Sequence, residues 1–272
     1  MTHQHSRARK DLPAIIIAPA VLAGALLLLP FIALLARIDW AALPAILAQP
    51  ETLSALRISI VTALAATVCC LVLGVPLAIV LARTSGLLAA GLRAIVTLPL
   101  VLPPLVGGLA LLSLLGRNGL IGGWLAELGI RIPFTMTAVV IAQTFVALPF
   151  LVISVEGALR SLDPAYEEAA STLGASPTAV LWHVTLPLIA PGLIAGTIMS
   201  FTRALGEFGA TALFAGNAEG TTRTVPLAIY TAFNGAGVTQ DIALALSLVL
   251  VSVSVIALVV LRGRTTPDRM AT

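Results

Sequence analysis

Charge is scarce in this sequence, and lysine is scarcer still. Of 272 residues, 10% are charged and 59% are hydrophobic, where a soluble domain carries about 25% charged residues. Lipid is therefore the expected solvent for most of the chain. The single lysine, Lys10, follows the run H-S-R-A-R, so no G-x-x-x-x-G-K-[ST] phosphate loop exists here. Any ATP that drives this protein is bound by another chain. The two cysteines, Cys69 and Cys70, are adjacent. That excludes an ordinary disulfide framework and a spaced metal site, and both read as small packing residues. There is no H-E-x-x-H, no G-x-S-x-G and no cysteine–histidine ligand spacing. The expectation is no catalytic residue, no metal and no cofactor in this chain. A formal charge of +3 leaves no nucleic-acid footprint. No cleavable signal peptide is expected, because the first apolar segment is too long and no small-residue cleavage site clearly follows it.

What is present is a series of apolar runs. Six are long enough to cross a bilayer, at 12–36, 58–82, 94–115, 134–159, 188–214 and 241–261. The expected fold is an all-α polytopic membrane protein of about six transmembrane helices. Pro19 and Pro30 are expected to kink the first. Pro99, Pro103, Pro104, Gly107 and Gly108 crowd the third and predict a broken or bent helix. Such a helix survives in lipid only where neighbours or a water-lined cavity satisfy its freed backbone groups. Between the runs lie a polar-to-mixed connection at 38–56 with Trp40 as an interfacial anchor, a short basic turn at 83–93, and a glycine-rich loop at 116–133. The stretch 225–233 is too short to span and reads as a re-entrant or interfacial helix. Residues 1–11 form a basic tail and 262–272 a polar one.

Six spans put both tails on one side. On that side fall Arg7, Arg9, Lys10, Arg83, Arg93, Arg160, Arg262, Arg264 and Arg269; opposite them are Arg37, Arg57, Arg117, Arg131 and Arg223. The excess of positive charge places both tails in the cytoplasm.

The loop 160–187 is the least hydrocarbon-like part of the chain. Asp163-Pro164 is a helix start, since Asp caps and Pro is tolerated in the first turn. A short helix over 166–173 then stops at Gly174. Ser176-Pro177 opens a second short helix, which Leu186-Pro187 is expected to end. The result is a compact cytoplasmic knob. His183 inside it reads as a packing or interface residue. Glu156, near the inner end of the fourth run, reads as a solvated or interfacial carboxylate.

The fifth run is interrupted by Arg203-Ala-Leu-Gly206-Glu207-Phe208-Gly209. Arg203 and Glu207 are four apart, share a helix face and are expected to pair. Each alone would cost roughly 2.5–3.5 kcal/mol at mid-bilayer. The pair reads equally as a packing device and as the polar lining of a path or gate. Gly206 and Gly209 thin the same helix for close backbone approach.

The spacing Glu168-Ala169-Ala170, three residues, Gly174, nine residues, Val184, one residue, Leu186-Pro187 resembles the E-A-A loop of bacterial ABC-importer permeases. The usual family residue at the Val184 position is Ile. The run RALGEFGATALFAGN, followed by TTRTVPLAIYTAF, is similar to the permease subunit of molybdate-type ABC importers. The resemblance implies that the knob residues Glu168, Ala169, Ala170, Gly174, Val184, Leu186 and Pro187 dock on a cytoplasmic ATPase. It also implies two ATPase subunits, a second permease copy in a homodimer, an external oxyanion-binding protein and a place in the bacterial cytoplasmic membrane. Transport of molybdate, or tungstate, by alternating access follows from it. A path or gate would involve Arg203, Gly206, Glu207, Phe208 and Gly209. Two rivals stand beside this reading. A sulfate-type permease is close in pattern, and its systems generally pair two different permeases. An ion-coupled carrier working alone would need a midplane ion site on broken helices, and would leave the knob unexplained.

Overall fold

The computed structural model describes residues 14–235 and 240–265. The chain runs through α1 (Ala14–Ala36), α2 (Leu43–Leu47), α3 (Pro50–Arg83), α4 (Gly86–Val101), α5 (Pro104–Leu115), α6 (Gly122–Glu127) and α7 (Met136–Ser161). It continues with α8 (Ala165–Thr172), α9 (Pro177–Val180), a π-helical turn (Leu181–Thr185), α10 (Leu186–Leu188), α11 (Ala190–Leu205), α12 (Gly209–Phe214), α13 (Val225–Phe233) and α14 (Gln240–Thr265). No strand occurs among the described residues. Helices α1, α3, α7 and α14 are each long and apolar enough to cross a membrane; the count reaches six if the bent pairs α4–α5 and α9–α11 each make one span.

Several bounds differ from the sequence expectation. Helix α3 begins at Pro50, so its 34 residues absorb part of the expected connection. Gln49 stays extended and Pro50 opens the first turn, a position that needs no N–H. The expected turn at 83–93 is already helix from Gly86 onward, because only Thr84 and Ser85 are extended. Pro19 and Pro30 lie inside α1, which runs through both without interruption. The expected break in the third run falls at Leu102-Pro103, where the axis bends by 116°. The fifth run is not one helix to Phe214: α11 stops at Leu205 and α12 restarts at Gly209. The basic residues at 1–13 and the tail beyond 265 lie outside the described residues, while Arg262 and Arg264 fall within the last turns of α14.

Lipid tails are as apolar as leucine, so hydrophobicity does not press membrane helices together; close packing and interhelical hydrogen bonds do. The sequence meets that need with small residues. The buried stripe of α3 includes Ala55, Ser59, Ala63, Ala66, Cys70, Gly74 and Ala78, at helical spacing along the face that meets α7. Gly74 has no room for a methyl, which would stand 2.8 Å from Leu151 Cδ2. On the other side of α7, Gly192 and Gly196 of α11 sit against Ala158 and Ser154. Ser154 Oγ donates to the Gly192 carbonyl at 2.8 Å, and Ser200 Oγ to the Ala147 carbonyl at 3.2 Å. Cys70 is fully buried and Cys69 half-buried, both as free thiols, in keeping with packing roles. Helix α7 is thus the central column, flanked by α3 and α11. Helix α1 packs along α14 and turns Leu26, Leu27, Leu28 and Leu29 outward, as a lipid-facing helix does.

Candidate functional site

The knob is built by local signals. Asp163 Oδ1 accepts from the Ala165 amide at 3.0 Å, which starts α8. Gly174 stops it with φ of 87°, a left-handed conformation that side chains resist. Ser176 Oγ accepts from the Ala179 amide at 3.3 Å and opens α9. The second short helix does not end at Leu186-Pro187. It passes through the π-helical turn into α10, and the chain bends by 71° only at Ile189. The wider turn accommodates Pro187, whose missing N–H and ring would break an ordinary ladder.

The two adjacent glutamates of α8 face opposite ways. Glu167 turns inward, 3.2 Å from Arg83 Nη2, and accepts from Thr185 Oγ1 at 2.5 Å. Glu168 is exposed and makes no ion pair among the described residues. Ala169, Gly174 and Pro187 are exposed as well, Ala170 and Val184 are half-buried, and Leu186 packs down onto the core around Leu81 and Ile189. Sequence reading missed three large side chains on this knob. Tyr166 and Trp182 are exposed, and Leu173 is 89% exposed. Their signal was present, since bulky apolar residues are out of place on a solvated loop and are enriched at interfaces. His183 is exposed, with Nδ1 donating to the Ala179 carbonyl at 3.0 Å.

Of the two expectations for Glu156, solvated or interfacial, the structure rules out the first. Its side chain is 11% exposed, and its Oε1 accepts from Arg93 Nε at 2.7 Å and from Arg160 Nε at 2.8 Å. This cluster lies where α7 hands over to the knob.

The second candidate region is the pair of helix breaks. Arg203 Nη2 stands 2.6 Å from Glu207 Oε2. The pair forms as expected, but not along one helix face. Gly206 caps α11, so Glu207 lies in the gap between α11 and α12. There its other oxygen accepts from the Ala210 amide at 2.8 Å, satisfying one orphan donor of α12. Glu207 is 1% exposed and Arg203 28%. The carboxylate is sealed behind the guanidinium. Phe208 leans on Tyr230 of α13, with ring centroids 5.1 Å apart. Gly209 meets Pro104, and Gly108 meets the Ala210 backbone, so the α11–α12 break rests on the α4–α5 break. Gly206 is exposed at the same turn.

Arg203 also lines an open cavity of about 360 Å³ with Phe150, Met199, Thr202, Ser254, Ala257 and Leu258. Among the described residues that line it, Arg203 is the one with a formal charge, and that charge is positive. No group of three His, Cys, Asp or Glu side chains able to hold a metal occurs among the described residues.

Comparison with known proteins fits this architecture. The chain is 50% identical over 256 residues to the molybdenum transport system permease protein ModB of Mycobacterium tuberculosis, covering 94% of this chain and 96% of that one. It is 38% identical over 208 residues to the sulfate transport system permease protein CysT of Escherichia coli, covering 75% of each. A crystal structure of a bacterial ABC transporter involved in the import of the acidic polysaccharide alginate superposes with a TM-score of 0.67 at 19% identity, covering 93% of this chain and 96% of that chain. That last likeness is one of fold. Residues 74–265 match the sequence profile of the binding-protein-dependent transport system inner membrane components. The chain, a helical membrane permease with α7 as its central column and a polar knob between α7 and α11, belongs to that family.

Proposed function

We propose that this chain is the membrane-spanning subunit of an ATP-driven importer that carries molybdate, and tungstate with it, from an external binding protein into the cytoplasm. The observation that carries this reading is the 50% identity to a molybdenum permease along 94% of the chain. The match to a sulfate permease is weaker and shorter, which makes sulfate the second reading.

The geometry supports a division of labour. The exposed Glu168, Ala169 and Leu173, with Trp182 beside them, form the face that meets the ATPase. Gly174 sets its bend, Val184, Leu186 and Pro187 form its stem, and Ala170 allows close approach. Two ATPases act on two copies of this chain, one knob each, about a two-fold axis that forms the path. ATP closes the ATPases, the knobs are drawn together, and the helices swing from inward-facing to outward-facing. High affinity resides in the binding protein, so the path needs only to tolerate a dianion. Arg203 does this: its positive charge offsets the lost hydration of the anion, while Glu207 stays covered. Gly206, Phe208 and Gly209 shape the break that presents it. Both termini and the knob face the cytoplasm, in line with the excess of Arg and Lys on that side.

Affinity purification of a tagged chain tests the assembly. An ABC ATPase in equal amount with the permease, and a permease dimer, are expected. Purification of a stable monomer with full transport activity would contradict the reading.

A further inference from the structure

Three helices converge at the root of the knob on a single carboxylate. Arg93 of α4 and Arg160 of α7 both donate to Glu156 Oε1, at 2.7 and 2.8 Å. The same two guanidiniums, through Nη2, also donate to the Leu81 carbonyl of α3, at 3.1 and 3.2 Å. The four groups close a ring: two cations, each bridging one carboxylate oxygen and one backbone carbonyl.

The Leu81 carbonyl is one of the last four of α3, which ends at Arg83. Such carbonyls have no partner within their own helix, and cations are favoured there by the helix dipole. The adjacent Val80 carbonyl is served by Thr84 Oγ1 at 2.6 Å. So the end of α3 is held by side chains of two other helices. Two residues on, Arg83 reaches Glu167 of α8, and Glu167 receives the Thr185 hydroxyl from the far side of the knob. The knob is therefore fastened to the end of α3 twice, once through Arg160, which Glu156 also holds, and once through Glu167.

We propose that Glu156 is the positioning residue for coupling: it clamps α3, α4 and α7 into one unit, so that displacement of the knob moves all three rather than only the helices joined to it by the chain. A charged side chain this deeply covered does not persist as a surface ornament. Removing it would leave two guanidiniums facing one carbonyl, with no anion between them. Helix α4 joins the clamp through Arg93. It leads into the Pro103 break, whose far side carries Gly108 against α12 and so lies next to Arg203 and Glu207. Motion delivered to α4 thus reaches the proposed path.

This inference rests on the reading of the loop 160–187 as the ATPase-docking knob, and the test separates the two. The full complex of permease, ATPase and binding protein is reconstituted with Glu156→Gln, and ATP hydrolysis and molybdate uptake are measured on the same vesicles. The expected result is normal ATPase binding and continued hydrolysis, with uptake per ATP reduced about fivefold or more, the lower range of ordinary coupling between sites. An unchanged uptake-to-hydrolysis ratio in assembled complex overturns the proposal. Arg160→Gln, which leaves the Arg93–Glu156 pair and the Arg93–Leu81 bond in place, provides a milder variant with the same readout and an intermediate ratio expected. Loss of assembly in both variants makes the cluster a folding element and also overturns the coupling role. Glu168→Lys serves as the control: if it leaves ATPase binding intact, the docking reading fails instead.

Discussion

Gly209 stands directly against Pro104: a methyl group built on Gly209 would lie 2.6 Å from the Pro104 Cβ and 3.3 Å from the Leu105 amide nitrogen. The contact joins two helix restarts, α5 after its Pro103 break and α12 after its Glu207 break. Because the obstruction is ring and backbone, neither side yields cheaply. Gly209→Ala is expected to destabilise the permease by about 1–3 kcal/mol, the usual cost of overpacking a fitted contact. A fall in the thermal midpoint of the detergent-purified complex measures it. Gly24→Ala, where a methyl meets nothing within 4 Å, is the matched control and is expected to change nothing.

The knob makes two distinct predictions in one pair of variants. Glu168→Lys reverses an exposed, unpaired charge and is expected to weaken ATPase binding while leaving the permease folded. Gly174→Leu has open space for the side chain, so its cost is conformational, about 1–2 kcal/mol for a left-handed residue. It is expected to loosen the knob and lower coupled ATP hydrolysis. Wild-type hydrolysis in both variants, measured with substrate-loaded binding protein, would remove the knob from the coupling route.

Arg203 and Glu207 separate packing from path. Arg203→Gln leaves the buried Glu207 carboxylate without its partner and is expected to lose about 3–5 kcal/mol, while Glu207→Gln strands the partly exposed Arg203 and is expected to cost less. The double variant Arg203→Gln with Glu207→Gln is expected to recover assembly, since Gln at 207 keeps an oxygen for the Ala210 amide. It is not expected to recover molybdate uptake, because Gln offers no charge to a dianion. Protein level, dimer fraction and uptake on the same membranes decide between the roles. Full recovery of uptake would leave the pair purely structural.

Orientation has a direct check. In a background lacking Cys69 and Cys70, a cysteine at Ser176 is expected to react only from the cytoplasmic side. A cysteine at Asn217, in the α12–α13 connection and hydrogen-bonded to Arg223 there and to Thr231 of α13, is expected to react only from the outside. Reaction of both from one side would contradict an odd number of crossings between them.

The helices were legible because apolar runs of membrane length have few other uses. The bend at Gly174 and the break at Pro103 were legible from glycine and from clustered proline, whereas the lone Pro19 and Pro30 sit inside α1 without interrupting it. The end of α11 was not. Leu205-Gly206-Glu207 carries no proline, and an i,i+4 Arg–Glu pair ordinarily argues for unbroken helix. What stops the helix is partly local, the Glu207 carboxylate accepting from the Ala210 amide three residues on, and partly tertiary, Gly209 fitting against Pro104. The cover over Glu156 was not legible because one of its two partners, Arg93, lies 63 residues before it, and only the fold brings Arg93 to it. The inward turn of Glu167 and the outward turn of Glu168 depend likewise on where Arg83 and Thr185 stand.

The central claim is that this permease passes molybdate inward at the expense of ATP hydrolysed by a partner. The direct measurement is uptake into vesicles holding the permease, its ATPase and internal ATP, with the binding protein and equal molybdate, tungstate or sulfate outside. The account predicts ATP-dependent accumulation of molybdate and tungstate, suppressed little by an excess of sulfate and absent when the binding protein is omitted. Accumulation of sulfate with molybdate as a poor competitor, or uptake that persists without ATP, would contradict it.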